Sequence, residues 1–505
     1  MFPKTLRYLL VEVRGGRAEI EQLGQDVSTY PVRWTGGFTC PENPALGRVW
    51  QIGAHTVQLC MEDVYMDTPR RERAGWLGDM VPEALAAYCA FGETKVARHS
   101  LDLYMRSQHE EGWIVGRYPS IDGPNMPTWS ASYAFALADY VRYSGDAAFA
   151  EAVWPGVQRL TAWFEGQRRQ DDLLVVTPTK RSDNGPGRYG YVLVDWAPTR
   201  LDGAVTAMNM FYYRYLAECA YLAWLLDRQE DIEQYASLAA RTKQAIQSEM
   251  FDEERGFFVN CRDEKGLSRR AGYQENLLAL LWQIATSDQE KRIVETLLPD
   301  DAPLPVWTTS DRNWVTLSSG TEPWRDDEIV PVGSPFFMYY ALGALFEIGR
   351  TEAALNSIEA HYGGLLSRGE TTVWEDWSGD TSRSHGWGAA PTIFAAKYVL
   401  GAEPIAPGWR VFRVAPSFGS LKKASGRVPT PHGTVGVSWQ RDGEGVTLDV
   451  VVPDGTQAEV GLPSEDSDAS LLYEGQECPS APCELRRRRY LLCRVGPGTH
   501  RFGLR

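Results

Sequence analysis

Asp67-Thr68-Pro69-Arg70-Arg71-Glu72-Arg73-Ala74-Gly75-Trp76-Leu77-Gly78-Asp79 gathers three carboxylates, three arginines and a tryptophan into thirteen residues. Pro69 and Gly75 interrupt the helical pattern on either side, so the segment reads as a loop at a helix end. Loops on a rigid scaffold are where catalytic groups concentrate. A plainer reading stands beside that one. Asp67, Glu72 and Asp79 are equally suited to be helix caps and surface partners of Arg70, Arg71 and Arg73.

Outward from this loop the chain is periodic. From Pro44 the apolar spacing is helical, with Val49, Ile52, Val57 and Leu59 on one face. Helices are expected at 82–91, 96–108, 129–143, 148–164, 204–226, 230–251, 274–286, 289–298, 333–348, 351–362 and 388–400. That is about a dozen helices joined by long loops, and six hairpins arranged as an (α/α)6 barrel account for them. No repeating unit suggests a solenoid. Before Pro44 the pattern alternates, and strands are expected at Tyr8–Val13, Ala18–Leu23 and Tyr30–Trp34. After Gly401, Pro404, Pro407 and Pro416 mark a linker. Short alternating runs follow at 434–439, 446–452 and 458–461, with turns at Asp442-Gly443 and Asp454-Gly455, as in a β-sandwich. The expected organisation is mainly α, with N-terminal strands over 1–40, the barrel over 41–402 and a β-sandwich over 403–505.

Bulk composition narrows the chemistry. The 505 residues carry a net charge of −15, which argues against a nucleic-acid or anionic-membrane partner. Eighteen tryptophans suit either a large core or an aromatic-lined pocket. Eight cysteines contain no C-x-x-C pair, so buried thiols in a reducing compartment are expected rather than a zinc site. The first residues lack the apolar run of a signal peptide, and no stretch is long and apolar enough to span a membrane. A cytoplasmic location is expected, with no metal and no cofactor.

Two further segments place an ionisable group among large aromatics: Thr371-Thr372-Val373-Trp374-Glu375-Asp376-Trp377 and Ser384-His385-Gly386-Trp387-Gly388. A carboxylate packed on tryptophan has its acid form favoured, as a general acid requires. The structural alternatives are a hydrogen-bonded core histidine at His385 and a core face made by Trp374 and Trp377.

These three segments together resemble the family 78 glycoside hydrolases, the bacterial and fungal α-L-rhamnosidases. The first matches the form D-x-P-x-x-E-x-x-x-W-x-G-D at every fixed position. The T-x-W-E-x-W and S-H-G-W segments follow in the family's order. So do Leu400-Gly401 through Pro407-Gly408 and then Thr430-Pro431-His432-Gly433. The resemblance implies that Glu72 is the general acid and Glu375 the general base. It makes Asp67, Trp76, Asp79 and His385 sugar-binding residues. Trp129, Asp195, Trp196, Trp374 and Trp377 are further candidates for the sugar pocket. An inverting enzyme needs an acid and a water-activating base about 6.5–9.5 Å apart. Two glutamates some 300 residues apart in sequence can face each other across a barrel mouth. The partner implied is a rhamnosylated carbohydrate. Most family members carry β domains before the barrel, and only about 40 residues precede it here. Three rivals remain: an (α/α)6 hydrolase of another α-glycoside, a non-catalytic carbohydrate-binding protein, and a polysaccharide lyase. The acidic cluster suits an anionic uronate poorly, and simple binding has no need of an acid–base pair.

Overall fold

The computed structural model describes residues 10–24, 27–120, 123–175, 190–308, 329–443, 445–466 and 468–505. Thirteen α-helices occur among them: α1 (Pro44–Leu59), α2 (Leu77–Phe91), α3 (Lys95–Arg106), α4 (Pro127–Ser144), α5 (Ala147–Glu165), α6 (Thr206–Leu225) and α7 (Gln229–Glu249). They continue with α8 (Tyr273–Leu281), α9 (Ser287–Leu297), α10 (Met338–Glu347), α11 (Thr351–Ser357), α12 (Gly363–Ser367) and α13 (Ala390–Phe394). Local chemistry sets several ends. Pro44 and Pro127 open α1 and α4, where a missing N–H costs nothing. The Asp146 side chain caps α5 by accepting from the Phe149 N–H at 3.1 Å. Gly92 and Gly145 stop α2 and α4 in the left-handed conformation.

Burial divides the helices into two kinds. Every residue of α2 is buried, in keeping with its small and apolar run LGDMVPEALAAYCAF. α3, α7 and α9 bury a single face. α2 packs on α4, α4 on α6, α6 on α8, α8 on α10 and α10 on α13, and α13 returns to α2. α7, α9 and α11 each back one member of that series, and α1, α3 and α5 each back two neighbouring members.

Several expected elements come out differently. Residues 10–24 and 27–36 form no strand, and Leu10, Val11, Val13, Ile20 and Leu23 are exposed. Tyr8 and Leu9, the start of the first expected strand, lie outside the described residues. Alternation makes a strand only where an edge supplies partners, and the one β segment here is Gly37–Thr39, paired antiparallel with Arg427–Ser425. α2 begins five residues before the expected Pro82, which sits inside it, so Asp79 belongs to its first turn and not to the loop. The expected 274–286 helix stops at Leu281. The 333–348 helix starts only at Met338, after Pro335. The 351–362 and 388–400 helices each loosen into a π turn, over Ile358–Tyr362 and Ala395–Val399.

The C-terminal region is a multi-sheet β domain. A seven-stranded sheet takes in Gly37–Thr39 at one edge and the meander Lys423–Thr430, Gly433–Asp442 and Gly445–Val452. A five-stranded sheet is centred on Gln457–Pro463. Val435, Val437 and Trp439 alternate inward, and the Trp439 Nε1–H donates to the Val399 carbonyl at 2.8 Å, fastening the sheet to the helices. Among the described residues no helix is long and apolar enough to cross a membrane. All eight cysteines are free thiols.

Candidate active site

The loop from Asp67 to Trp76 is tied to itself and to the segment after Thr371. The Asp67 N–H donates to the Ala74 carbonyl at 3.0 Å, and the Asp67 carboxylate accepts from the Ala74 N–H at 2.9 Å. Arg73 reaches outward to Glu62 and back to the Pro69 carbonyl, and plays no part in neutralising Asp67 or Asp79. Thr68 and Ser382 share a hydroxyl hydrogen bond of 2.8 Å, and the Gly386 N–H donates to the Asp67 carbonyl at 3.1 Å. Residues more than 300 positions apart are thereby held in one place.

Arg71 joins the two glutamates. One of its nitrogens, Nη2, lies 3.0 Å from Glu72 Oε1 and 3.0 Å from Glu375 Oε2. Arg71 adopts a left-handed backbone, φ 71°, an uncommon conformation for a side-chain-bearing residue. Glu72 also accepts from the Trp76 indole N–H at 2.9 Å. Glu375 is buried. It accepts from the Ser382 N–H at 3.1 Å, while its own N–H donates to the Ser382 carbonyl at 2.8 Å. His385 completes the group. Its Nε2 lies 2.8 Å from Asp79 Oδ1 and its Nδ1 lies 3.7 Å from Glu375 Oε2. Glu72, Glu375, Asp79 and His385 are therefore one continuous cluster, with Asp67 beside it through Gly386.

Electrostatics follow from burial. Desolvation pushes Asp67 up to about 7, against the pull of His385 and with help from Asp79. Desolvation likewise raises Asp79 to about 6, although its hydrogen bond to His385 opposes the shift. Burial alone would lower His385, but the bond to Asp79 and the neighbouring carboxylates outweigh it, and the net shift is upward. Such raised carboxyls in a cleft are a signature of functional sites.

Aromatic groups wall the cluster. Trp76 meets Trp129 edge to face at 5.2 Å, and Arg117 lies over the Trp76 ring at 4.9 Å. Trp129 packs on Gly78, where even a methyl group would collide with the indole, and its N–H is buried without a partner. Trp387 stacks near His385 at 4.2 Å, and Trp196 meets Trp387 at 6.5 Å. Asp195 has a different part. Its carboxylate is filled by Gln274 at 2.8 Å, the Gly333 N–H at 2.6 Å, Ser334 at 2.7 Å and the Trp196 N–H at 2.8 Å. That arrangement fastens the Trp196 loop to the 333–334 turn. Trp374 and Trp377 pack on groups outside the cluster. Trp374 is sandwiched near Arg368, Arg383 and Gly379, and Trp377 sits against His361 and Tyr362.

Three residues escaped the reading of the sequence. Arg71 looked like one of several surface arginines. Trp387 stood within a quoted motif without an assigned part. Glu83 lies one turn beyond Asp79 on α2, fully buried, with neither carboxyl oxygen hydrogen-bonded. Burial and the nearby Asp79 and Asp67 push Glu83 well above the carboxylate range. The spacing Asp79–Glu83 was the available signal, since residues four apart share a helix face. Among the described residues no group of three or more histidine, cysteine or carboxylate side chains is arranged to hold a metal ion.

Known proteins give this geometry a family. The model for the bacterial alpha-L-rhamnosidase 6 hairpin glycosidase domain matches residues 33–302, and that for the bacterial alpha-L-rhamnosidase C-terminal domain matches residues 401–474. An α-L-rhamnosidase of Alteromonas sp. is 22% identical over 444 residues, covering 84% of this chain and 44% of that protein. The chain thus spans about half the length of the curated relatives it matches. The crystal structure of a family 78 rhamnosidase of Bacillus sp. GL1 superposes with a TM-score of 0.75 at 29% identity, covering 86% of this chain and 43% of that one. An α-L-rhamnosidase of Streptomyces avermitilis, complexed with L-rhamnose, has the same fold, with a TM-score of 0.71 at 19% identity over 94% of this chain and 42% of that one. With more than half of its length inside the first of these family models, the chain belongs to the bacterial α-L-rhamnosidase six-hairpin glycosidase family.

Proposed function

We propose that this chain is an inverting glycoside hydrolase that releases terminal α-L-rhamnose from glycosides. One observation carries the reading: a single arginine nitrogen touches both Glu72 and Glu375, in a cluster backed by Asp79 and His385. Glu72 is the general acid, donating to the leaving oxygen. Glu375 is the base that activates water on the opposite ring face. Asp67, Asp79 and His385 bind hydroxyls, and the Asp79 carboxylate stabilises positive charge developing at the anomeric carbon. Trp76, Trp129 and Trp196 offer apolar faces to the sugar, whose C6 methyl group suits them. Asp195 supports Trp196, and Trp374 and Trp377 support the Glu375 loop, so these three act from behind the pocket.

Arg71 holds the two glutamate oxygens within twice 3.0 Å of each other. That contact leaves room for the roughly 6.5–9.5 Å carboxyl separation of an inverting site, since each carboxyl carbon lies about 1.2 Å beyond its bridged oxygen.

The same reading extends to architecture and setting. The helix series that returns from α13 to α2 is the inner wall of an (α/α)6 barrel, with the two sheets after residue 402 as a β-sandwich. The free thiols suit a reducing, cytoplasmic setting, and the acidic chain takes a neutral carbohydrate rather than nucleic acid or membrane. Hydrolysis of p-nitrophenyl α-L-rhamnoside beside the corresponding α-D-glucoside tests the substrate, and strong preference for the rhamnoside is expected. Proton NMR immediately after mixing tests the stereochemical course. β-L-rhamnose should be the first product, and α-rhamnose appearing first would refute Glu375 as a base.

A further inference from the structure

The candidate active site lies at the N-terminal ends of the inner helices. Asp79 is in the first turn of α2, Trp129 in that of α4, and His385 just precedes α13. A separate cavity of about 410 Å³ lies further along the same helices, between their later turns and Glu403. On α4 its lining residue Asp139 is ten positions past Trp129, about 15 Å along the axis at 1.5 Å per residue. None of Asp67, Glu72, Glu375 or His385 lines it. Its volume falls in the range of small-molecule pockets, roughly 300–1,000 Å³.

Its lining is unusual for the centre of a helical array. Arg142, Arg214 and Lys397 face Asp139, Glu218, Glu347 and Glu403. Arg142 pairs with Asp139 at 3.0 Å and with Glu218 at 2.5 Å, and Arg214 also pairs with Glu218. Lys397 pairs with Glu347 at 3.2 Å, and the Tyr398 hydroxyl donates to the same carboxylate at 2.7 Å. Burial opposes ionisation of Glu218, but the two arginines prevail and hold it below the ordinary range. The fourth carboxylate, Glu403, is paired from outside the lining by Arg486 at 3.2 Å and Arg413 at 3.8 Å, so each carboxylate has a cation beside it. The side chains of Arg214 and Lys397 nevertheless remain 37% and 32% exposed, so the cavity is open to solvent. Between the charged pairs lie the rings of Phe135, Trp282, Tyr339 and Phe394.

We propose that this cavity is a second binding site, for a neutral mono- or disaccharide. The argument is one of complementarity. A net ion would meet a field already balanced and would have to break an existing pair. A polyhydroxylated ring needs many hydrogen-bond donors and acceptors around its rim and apolar faces against its C–H surfaces, and this lining supplies both. Charge-assisted hydrogen bonds to carboxylate and guanidinium are the stronger kind available to a hydroxyl. The site stands apart from the proposed hydrolysis and needs no bond to break.

Calorimetric titration of L-rhamnose, D-glucose and maltose into the full chain tests it. In an Asp79→Asn background, which damages only the candidate active site, at least one of these sugars should still bind, with a dissociation constant in the millimolar range. Arg214→Gln or Tyr339→Phe should weaken that event about tenfold, the loss expected for one hydrogen bond to a charged or hydroxyl group. Both are mild changes: Arg214 is partly exposed, and Tyr339→Phe removes one hydroxyl, so unchanged far-UV circular dichroism is expected to show both folded. Absence of binding by all three sugars in the Asp79→Asn protein would overturn the proposal. So would binding that both variants leave untouched. A chain with no rhamnosidase activity would leave this result standing, because the readout is binding alone.

Discussion

Glu72 and Glu375 touch the same nitrogen of Arg71, yet their surroundings are opposite. The Glu72 side chain is 36% exposed on a loop, held by Trp76 and Arg71. That of Glu375 is 3% exposed and is gripped by the Ser382 backbone as well. A group that must donate a proton to varied leaving groups gains from being able to move. A group that must aim one water gains from being fixed. The difference between these two loops is thus a division of labour expressed as burial.

Glu375→Gln strikes the fixed half, and its effect should be the largest. Hydrolysis of both aryl and alkyl α-L-rhamnosides should fall about a thousandfold or more, since water activation is needed for each. Activity on either substrate undiminished by this change would break the comparison. Glu72→Gln should come next, with about a hundredfold loss on alkyl rhamnosides and a smaller loss on p-nitrophenyl rhamnoside, whose leaving group needs little protonation. Steady-state kinetics on paired substrates measures that split. Arg71→Met removes the shared contact. A loss in kcat of about tenfold is expected, because the two glutamates are then no longer held by one nitrogen. An unaltered kcat would mean that Arg71 merely fills space.

The smallest effect concerns stability. Asp67, raised to about 7 from an ordinary 3.8, binds its proton more tightly when folded. Below the ordinary value this preference is fully present as stability, and it is lost as pH rises from about 4 to about 7. Thermal unfolding should show Tm declining over that window through this group, and Asp67→Asn should flatten the decline. A steeper decline in the variant would contradict the assignment of Asp67 as a protonated carboxyl.

The sequence disclosed these two halves unequally. The helical period after Pro44 located most of the helices, because an apolar face repeats every three or four residues whatever packs against it. Glu72, Asp79, Glu375 and His385 were legible through their motifs, and the structure brings all four together. The period-2 pattern before residue 36 misled, since a strand is a property of a pair and no partner edge is offered there. The role of Arg71 was hidden for a related reason. Among Arg70, Arg71 and Arg73 nothing local distinguishes the one that reaches a glutamate 304 positions away, and both Arg71 and Arg73 have a left-handed backbone. Asp195 was assigned to the sugar on its place beside Trp196. Only the three-dimensional contacts with Gln274, Gly333 and Ser334 reveal that its oxygens are already occupied by the protein.

The three residues Gly37–Thr39 have a bearing on how the chain acquires its shape. They zip onto Ser425–Arg427, so the ladder closes a loop of nearly four hundred residues. Loop-closure entropy grows only slowly with length, so the finished contact is little weakened by that span. Its timing is another matter. During synthesis at about 5–20 residues per second, the β segment waits for tens of seconds before its partner strand exists. The helices between them are therefore made while the Gly37–Thr39 segment is still unpaired, and a strand made after all of those helices secures it. Translation order and assembly order run in opposite senses at this seam, which makes the edge beside Phe38 the place where a stalled or shortened chain would be exposed to mispairing.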